Sequence, residues 1–330
     1  MIHLALLLTK KHRLLSLAAA LDVFETVNTF YEKSHGRSFF RISLLHGRDC
    51  TTSSQYSGYI SQCIDEADKQ DLIFVPAFGS DPQVAVQENL EFIPWLQQQY
   101  ALGVEIGSFC TGAFLLAASG LLDDKIATTH IDASLALASC FPSVRVQAHA
   151  VVTYDAGLYT SGGATSSFHL MLYVIEKYCG REMAVRVAKL FAIDMDRDKQ
   201  LYFGSFIPAQ EHGDKIVLQA QRQIESNFDK LETIEEIVHN IPSSRRNIVR
   251  RFKQVTGITP IEYLQKVRVE AAKKLLELTD KTILEVMLMS GYNDMKAFRE
   301  MFKKSVGMTP KAYRDKFQLA RAPVLQQTLG

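Results

Sequence analysis

The sequence predicts two domains of different fold class: an α/β N-terminal domain, in which helices flank a parallel sheet, and an all-α C-terminal domain with two helix–turn–helix units. The length of 330 residues exceeds what one ordinary hydrophobic core organises, so two domains are expected. Strand-like and helix-like segments alternate in the first part of the chain, which is typical of a parallel sheet covered on both faces. Beyond residue 214 only helix-like segments follow.

Short apolar runs predict the buried strands of the N-terminal domain, and segments of helical periodicity predict its helices. The predicted strands are Ile2–Leu8, Asp71–Pro76, Leu102–Gly107 and Leu158–Ser161. The predicted helices are Leu14–Tyr31, Val84–Gln99, Gly112–Ser119 and Phe168–Cys179. We interpret the apolar start of the chain as a first strand and not as a signal peptide, because it lacks a basic leading segment and a small-residue cleavage site.

Two stretches of the C-terminal domain share one pattern of helix, turn and second helix. The second helices read RRNIVRRFKQVTG from Arg245 and MKAFREMFKKSVG from Met295. Ser244 and Asp294 are expected N-caps, and Gly257 is placed to end the first of these helices. Both stretches then continue with G-x-T-P and a tyrosine, as GITPIEY and GMTPKAY. The pattern predicts two copies of one supersecondary unit.

Charge separates the two parts of the chain. Residues 213–330 contain 21 Lys/Arg and 14 Asp/Glu, a net charge of +7, whereas residues 1–212 contain 16 and 22, a net charge of −6. This difference favours a polyanion as partner of the C-terminal part only. We expect an N-terminal domain at residues 1–197, a linker at 198–213, a C-terminal domain at 214–318 and a tail at 319–330.

The second helix of each unit carries the cationic side chains that insertion into the DNA major groove requires. A helix fits this groove, and its N-terminal side chains reach the base edges. The alternative interpretation is that these charged side chains only keep the exposed face of a surface helix hydrated. Two matching units within one domain favour the groove-reading interpretation.

Residues 214–318 resemble the AraC/XylS-type DNA-binding domain through two segments, RVEAAKKLL (Arg268–Leu276) and GYNDMKAFREMFKKSVGMTPKAYR (Gly291–Arg314). The resemblance implies double-stranded DNA as partner and two helix–turn–helix units bridged by one long helix, Pro260 to about Leu278. Recognition helices held in this way enter successive major-groove segments about 34 Å apart.

Positions that match the family's motif imply which side chains meet DNA. Base contacts are implied for Arg246, Val249 and Arg250 in the first unit and for Met295, Lys296 and Arg299 in the second. Phosphate contacts are implied for Arg251, Lys253, Lys303 and Lys304, and Arg245 lies on the same basic helix. Glu300 departs from the pattern, since a basic residue is common at its position. Its carboxylate either repels phosphate and weakens binding by the second unit, or accepts a hydrogen bond from a cytosine amine.

Cys110 lies between Gly107 and Gly112 in VEIGSFCTGAFLLAASGLL, at a predicted strand-to-helix junction. The pattern is close to a nucleophile elbow, in which a sharp turn presents a side chain at a helix N-terminus. Free amides and the helix dipole there are expected to lower the pKa of the thiol. A buried, inert cysteine is the alternative interpretation.

This segment, together with LLDDKIATTHID (Leu121–Asp132) and ALDVFETVN (Ala20–Asn28), resembles the PfpI-type branch of the class I glutamine amidotransferase-like fold. The whole chain resembles the GlxA-type regulators, which join that fold to an AraC-type domain. The resemblance implies a pocket at the carboxyl ends of the strands and a small-molecule effector that is amino-acid or amine-like. The implied ligand-binding residues are Asp22, Cys110, Thr111, Gly112, His130, Gly162 and Gly163.

Sensing is favoured over catalysis, because PfpI-type hydrolases place a histidine directly after the cysteine and this chain has Thr111 there. We therefore expect a transcription regulator with no catalytic residue and no cofactor. One alternative function is a cysteine-dependent amidase or hydrolase tethered to DNA. Another is a general nucleic-acid binder without an effector, which would show little preference between DNA sequences.

Other features set expectations for the environment and the partners. None of the five cysteines is paired at C-x-x-C spacing, so neither a disulfide framework nor a zinc or other metal site is predicted. The apolar run Gly112–Leu122 is too short to span a bilayer, so we expect a cytoplasmic protein without a membrane partner. The stretch Phe168–Tyr178 suits the core or a dimer face. A homodimer is expected because bivalent binding raises avidity, and RNA polymerase is a possible further partner.

Overall fold

The computed structural model describes residues 1–48, 56, 58–195, 200–206, 208, 212–231, 233–239 and 241–318. They belong to two bodies with separate hydrophobic cores, an N-terminal body of residues 1–200 and a C-terminal body of residues 201–330.

A parallel sheet organises the N-terminal body. Its strands, together with a separate small pair, are β1 Ile2–Leu8, β2 Phe40–His46, β3 Ile60–Cys63, β4 Leu72–Val75, β5 Glu105–Ser108, β6 Ile126–Ala127, β7 Arg145–Val146, β8 Val152–Asp155 and β9 Leu158–Ser161. The main sheet has the order β3-β2-β1-β4-β5-β9-β8; β8 runs antiparallel to β9, and the other described pairs are parallel. Strands β6 and β7 form the separate parallel pair. The predicted parallel sheet is confirmed.

Helices cover both faces of this sheet. They are α1 Leu14–His35, α2 Pro82–Gln87, α3 Phe92–Ala101, α4 Ala113–Ala118, α5 Ser134–Cys140, α6 Ser166–Cys179 and α7 Arg181–Leu190. Alternate residues of β1 enter different cores: Leu4 and Leu6 pack with α1, α6 and α7, whereas Ala5 and Leu7 pack with α2–α5. Burial on both faces explains why β1 is an unbroken apolar run.

The helix predicted over Val84–Gln99 is wrong as a single helix, because the structure divides it into α2 and α3. Asn89 lies in the break with its side chain fully buried, and its amide accepts from Lys10 N at 2.7 Å and donates to Lys10 O at 3.0 Å. Pro94 has no N–H to donate and therefore suits the first turn of a new helix better than the interior of a long one.

The C-terminal body is all-α, as predicted. Its helices are α8 Lys215–Asn227, α9 Ile234–Val238, α10 Arg245–Thr256, α11 Pro260–Leu278, α12 Ile283–Met289, α13 Met295–Val306 and α14 Pro310–Phe317. Helices α9 and α10 form the first helix–turn–helix unit, and α12 and α13 form the second. The bridging helix α11 enters both cores, with Tyr263 and Leu264 in the first and Ala272 and Leu276 in the second.

The local signals at the ends of the recognition helices α10 and α13 act as predicted. Ser244 accepts a hydrogen bond from Asn247 N at 3.3 Å, and Asp294 accepts one from Ala297 N at 2.6 Å. Gly257 follows α10 in the left-handed conformation, with φ of 77°, which favours glycine. In addition, Thr259 caps α11 through a reciprocal box with Glu262.

Residues 201–206, which fall within the segment predicted as a linker, contact the helices of the C-terminal body. Lys273 donates from Nζ to Gly204 O, and the Phe206 ring packs edge-on against Tyr263 at 5.0 Å. Among the residues described, none of the helices combines the length and apolar character needed to cross a membrane.

Candidate ligand cavity and nucleic-acid interface

A cavity of about 450 Å³ lies at the carboxyl end of the sheet in the N-terminal body. Loops that follow parallel strands meet at this edge, where open α/β sheets bind ligands. Most of the lining is apolar, and charged or polar side chains enter it from several loops. The polar side chains that line it are Arg13, Ser16, Ser80, Thr111, His130, Asp132 and Ser167, besides the Cys110 thiol.

Cys110 occupies the sharp turn that the sequence predicts. Its φ is +51°, a left-handed conformation that a non-glycine residue adopts at a cost in free energy. Gly112 makes the turn possible, because a Cβ there would lie 2.5 Å from Pro76 O and 2.9 Å from Val75 O. The Cys110 side chain lines the cavity although the residue is only 5% exposed.

The expected lowering of the Cys110 pKa is wrong: burial raises the pKa of this thiol above its ordinary value. Hydrogen bonds from the backbone of Thr111 and His130, and the charge of Arg13, act in the opposite direction without outweighing the loss of hydration. The helix that follows, α4, spans only six residues.

Thr111 and His130 line the same cavity as Cys110, and the Thr111 side chain hydrogen-bonds to the cysteine thiol. Thr111 Oγ1 accepts from Phe78 N at 2.8 Å. The His130 ring accepts at Nδ1 from Asp132 N at 3.3 Å and lies 3.9 Å from the Asp132 carboxylate. The Cys110 sulfur accepts a hydrogen bond from the backbone of His130. The ring of His130 is oriented by Asp132 and not by the cysteine.

The four other predicted ligand-binding residues are not among those that line the described cavity. Asp22 is exposed on α1, and its charge contributes, after burial and Glu25, to the raised pKa of Tyr59. Gly112 is turned against the backbone of Pro76. Gly162 is covered by the side chain of Gln200, whereas Gly163 lies against the His130 ring, since a Cβ there would lie 3.3 Å from it.

Gln200 is a functional candidate that the sequence reasoning missed. Its side chain is 1% exposed, accepts from Gly163 N at 2.9 Å, and donates to Thr129 O at 2.9 Å and Ala148 O at 3.0 Å. Thr129 in turn donates from Oγ1 to Cys110 O at 2.9 Å. Gln200 therefore joins three segments behind the cavity and is the last residue of the N-terminal body.

Arg13 and Asp132 are the two charged cavity residues that were not predicted as ligand contacts. Arg13 precedes α1, is exposed, and donates from Nε to Phe78 O at 3.2 Å. The signal for Arg13 is its place in the short loop between the first buried strand and the first helix, and Asp132 ends the quoted segment LLDDKIATTHID. No group of three or more His, Cys, Asp or Glu side chains that suits a metal ion occurs in the described part of the chain.

The recognition helices α10 and α13 bury one face and leave the other free. Ile248 and Phe252 fill the first core, and Phe298 and Phe302 fill the second at matching positions. Most of the predicted DNA contacts are exposed; they are Arg245, Arg246, Arg250, Lys253, Lys296, Arg299, Lys303 and Lys304. The structure therefore places a cationic face on each recognition helix.

Three of the predicted DNA contacts are half-buried. Arg251 forms an ion pair with Asp214, the N-cap of α8, at 2.9 Å. Val249 is partly buried, and Met295 packs against the second core. Within the exposed set, Arg245 pairs with Glu235 at 2.6 Å, and Arg250 donates to Asn247 Oδ1 at 3.0 Å.

Arg268, from the segment RVEAAKKLL, lies between the two helix–turn–helix units. It is 6% exposed, donates to Phe228 O at 2.8 Å and Leu231 O at 2.6 Å, and places its guanidinium over the Tyr292 ring. Gly291 is packed against it, since a Cβ there would lie 2.7 Å from Arg268 Nε. This arginine thus links the segment before α9 to the turn of the second unit.

Comparisons with known proteins match both bodies. Residues 14–177 match the DJ-1/PfpI family, and residues 240–316 match a family described as a helix-turn-helix domain. Both matches agree with the resemblances inferred from the sequence.

Three curated relatives are similar over most of the chain. The HTH-type transcriptional regulator CdhR of Pseudomonas aeruginosa is 30% identical, over 74% of this chain and 72% of its own. The regulator GbdR of the same organism is 26% identical, over 97% of this chain and 86% of its own. GlxA of Rhizobium meliloti is 26% identical, over 93% of this chain and 94% of its own.

Proposed function

The chain belongs to the family of HTH-type transcriptional regulators that carry a DJ-1/PfpI domain and an AraC-type helix–turn–helix domain, and we propose that it regulates transcription at specific DNA sites under the control of a small molecule. One observation carries the DNA-binding function: two recognition helices, each capped and buried on one side, expose cationic side chains on the other. This is the arrangement that major-groove recognition requires.

The base contacts that we propose lie on the first two turns of each recognition helix. They are Arg246, Val249 and Arg250 in α10 and Met295, Lys296 and Arg299 in α13. The phosphate contacts that we propose are Arg245, Arg251, Lys253, Lys303 and Lys304, whose charges provide affinity and salt dependence. For Arg251, binding DNA requires sharing its guanidinium with Asp214.

The effector site that we propose is the cavity around Cys110, Thr111 and His130. Arg13 offers a cation and Asp132 an anion to the same space, which suits a small molecule with both a carboxylate and an amine. The apolar remainder of the lining suits a short aliphatic part. This supports the amino-acid or amine-like effector expected from the sequence.

We propose that the cavity senses and does not catalyse. A cysteine nucleophile needs a lowered pKa or an adjacent base. Burial raises the pKa of Cys110, and the ring of His130 is oriented by Asp132. The alternative, a DNA-tethered hydrolase, predicts that Cys110→Ser abolishes turnover of small amides by the purified chain. Sensing predicts no turnover to abolish.

Two partners complete the proposal. Homodimerisation would pair two DNA-binding bodies on one operator and raise avidity. RNA polymerase is the partner through which a bound regulator would act on transcription.

Arg250→Ala tests the DNA-binding proposal on a duplex obtained by selection with the unaltered chain. We expect about tenfold weaker binding and a relaxed preference at one base position, because a bidentate contact to a base edge is lost. Arg222→Ala on α8 is the control, since it removes the same charge from another exposed site. Equal affinity and an unchanged footprint for Arg250→Ala would contradict the proposal.

The effector proposal is tested by thermal unfolding of the full chain with three compound sets: amino acids, matched carboxylic acids and matched amines. We expect only compounds with both charges to raise the melting temperature, because ligands that bind the native state stabilise it. The shift should be lost in Arg13→Ala. A shift that persists in Arg13→Ala, or one produced equally by singly charged compounds, would place the ligand elsewhere.

A further inference from the structure

The two recognition helices differ in the sign of the charge at one exposed position. Helices α10 and α13 have the same length of 12 residues, begin after a capping side chain and end at a left-handed glycine, so they align without a gap. In this alignment Arg250 corresponds to Glu300, the sixth residue of its helix, and both side chains are exposed. An acceptor in the second unit therefore replaces a donor of the first.

The Glu300 carboxylate is surrounded by cationic side chains that do not neutralise it. Lys296 and Lys304 are each one helical turn away, yet the described residues include no ion pair of Glu300. Its counterpart Arg250 is held by Asn247, and the position that matches Asn247 is Ala297, which has no polar group. The carboxylate is thus free to meet an external donor.

A carboxylate in the major groove faces unfavourable phosphate charge unless a base donates to it. Cytosine N4 and adenine N6 are the donors on the base edges of this groove. Adenine presents its N7 acceptor beside N6, which repels a carboxylate, whereas cytosine N4 has a C–H group as its neighbour on the same base. Cytosine is therefore the better partner for an acceptor-only side chain.

We infer that Glu300 is a specificity-determining residue, which accepts a hydrogen bond from a cytosine amino group in the half-site of the second unit, whereas Arg250 donates to a guanine in the half-site of the first. Lys303 and Lys304, the proposed phosphate contacts of α13, are exposed and hold the helix against the phosphates despite the negative charge. The inference rests on the proposed function and adds base identity to it.

Selection from a randomised duplex library by the full chain tests this inference. We expect the unaltered chain to enrich two half-sites, one with an invariant guanine and the other with an invariant cytosine on the contacted strand. Glu300→Gln should lower the preference for that cytosine by about tenfold while the other half-site stays unchanged. Asp315→Asn on α14 is the control, because it removes an exposed negative charge outside the recognition helix.

The possible outcomes separate this inference from the function on which it rests. If Glu300→Gln enriches the same motif as the unaltered chain, with tighter binding to all sequences, Glu300 acts only by repelling phosphates and the inference is wrong. If the unaltered chain enriches no motif at all, the proposed function fails as well. A cytosine preference lost in Glu300→Gln and kept in Asp315→Asn supports the inference.

Discussion

Gln200 joins the segments around Gly163, Thr129 and Ala148 through one buried amide. Replacing it by alanine leaves the N–H of Gly163 and the carbonyl groups of Thr129 and Ala148 without this partner. A buried polar group left unsatisfied costs about 1–3 kcal/mol, so Gln200→Ala should lower the free energy of unfolding by at least that amount. Urea unfolding of the full chain measures the change.

Gln98→Ala is the matched control, because Gln98 is an exposed glutamine of α3 in the same body. Its effect should stay within about 0.5 kcal/mol. Equal stability of the two variants would show that Gln200 does not hold the three segments together.

The raised pKa of Cys110 predicts low reactivity of its thiol near neutral pH. Because burial favours the neutral thiol, the reactive thiolate forms only as the pH rises above the ordinary value for a cysteine. The unfolded chain ionises first, so the stability contribution of this thiol is complete below the unfolded pKa and is lost as the pH rises through the folded one.

Alkylation with iodoacetamide, followed by mass spectrometry, checks this expectation within one chain. Cys140, which is exposed, serves as the internal reference. We expect Cys140 to be modified first at pH 8 and Cys110 only at higher pH. Faster modification of Cys110 at pH 7 would indicate an activated thiolate and would favour the hydrolase alternative.

Helix caps could be predicted from single residues in the sequence, whereas contacts between residues distant in the sequence could not. The caps Ser244 and Asp294 act on the residues that follow them, so the sequence alone predicted them. Arg13 and Asp132 line the same cavity only because the folded sheet places their loops at the same edge. The pKa of Cys110 was predicted in the wrong direction, since burial outweighs the short helix that follows.

At the scale of elements, Gly291 fixes how the second helix–turn–helix unit meets the bridging helix. It has φ of +83°, and a Cβ there would lie 2.8 Å from Phe228 O and 2.7 Å from Arg268 Nε. Gly291→Ala should therefore combine backbone strain with a clash and lower stability by more than the roughly 1 kcal/mol expected from strain alone. Thermal unfolding and DNA titration of the full chain measure both consequences.

Gly213→Ala separates strain from clash, because Gly213 has φ of +69° and a Cβ there would meet nothing within 4 Å. We expect the smaller loss of stability from Gly213→Ala and unchanged binding to a selected duplex. Similar losses in the two variants would mean that the packing of Arg268 against Gly291 contributes little.

Long, strongly patterned elements were predictable, and edge or interrupted elements were not. The apolar run of β1 was predicted as observed, because burial on both faces imposes a continuous pattern on it. The extent of α11 was implied by the family resemblance and agrees with the structure. Strands β2, β3 and β8 were missed, because polar residues interrupt the apolar pattern in FRISLLH, ISQC and VTYD. Of these, β3 and β8 are edge strands with solvent on one side. The break between α2 and α3 depends on Asn89 binding the distant Lys10 backbone.

At the scale of the whole molecule, the charge difference between the two parts follows their tasks. The +7 of residues 213–330 suits a DNA polyanion, whereas the −6 of residues 1–212 disfavours contact of that part with phosphates. The sequence alone predicted this charge difference and the family resemblance, because the first depends on composition and the second on motifs. That Arg13 and Asp132 line one cavity could be seen only in the folded structure.

A base-resolved footprint of the full chain on a selected duplex tests the central claim, that two recognition helices read successive major-groove segments. We expect two protected segments on one face of the duplex, about 10 base pairs apart. In Arg250→Ala, the guanines of the first segment should no longer be protected. Protection of a single segment, or uniform protection without sequence preference, would contradict the account.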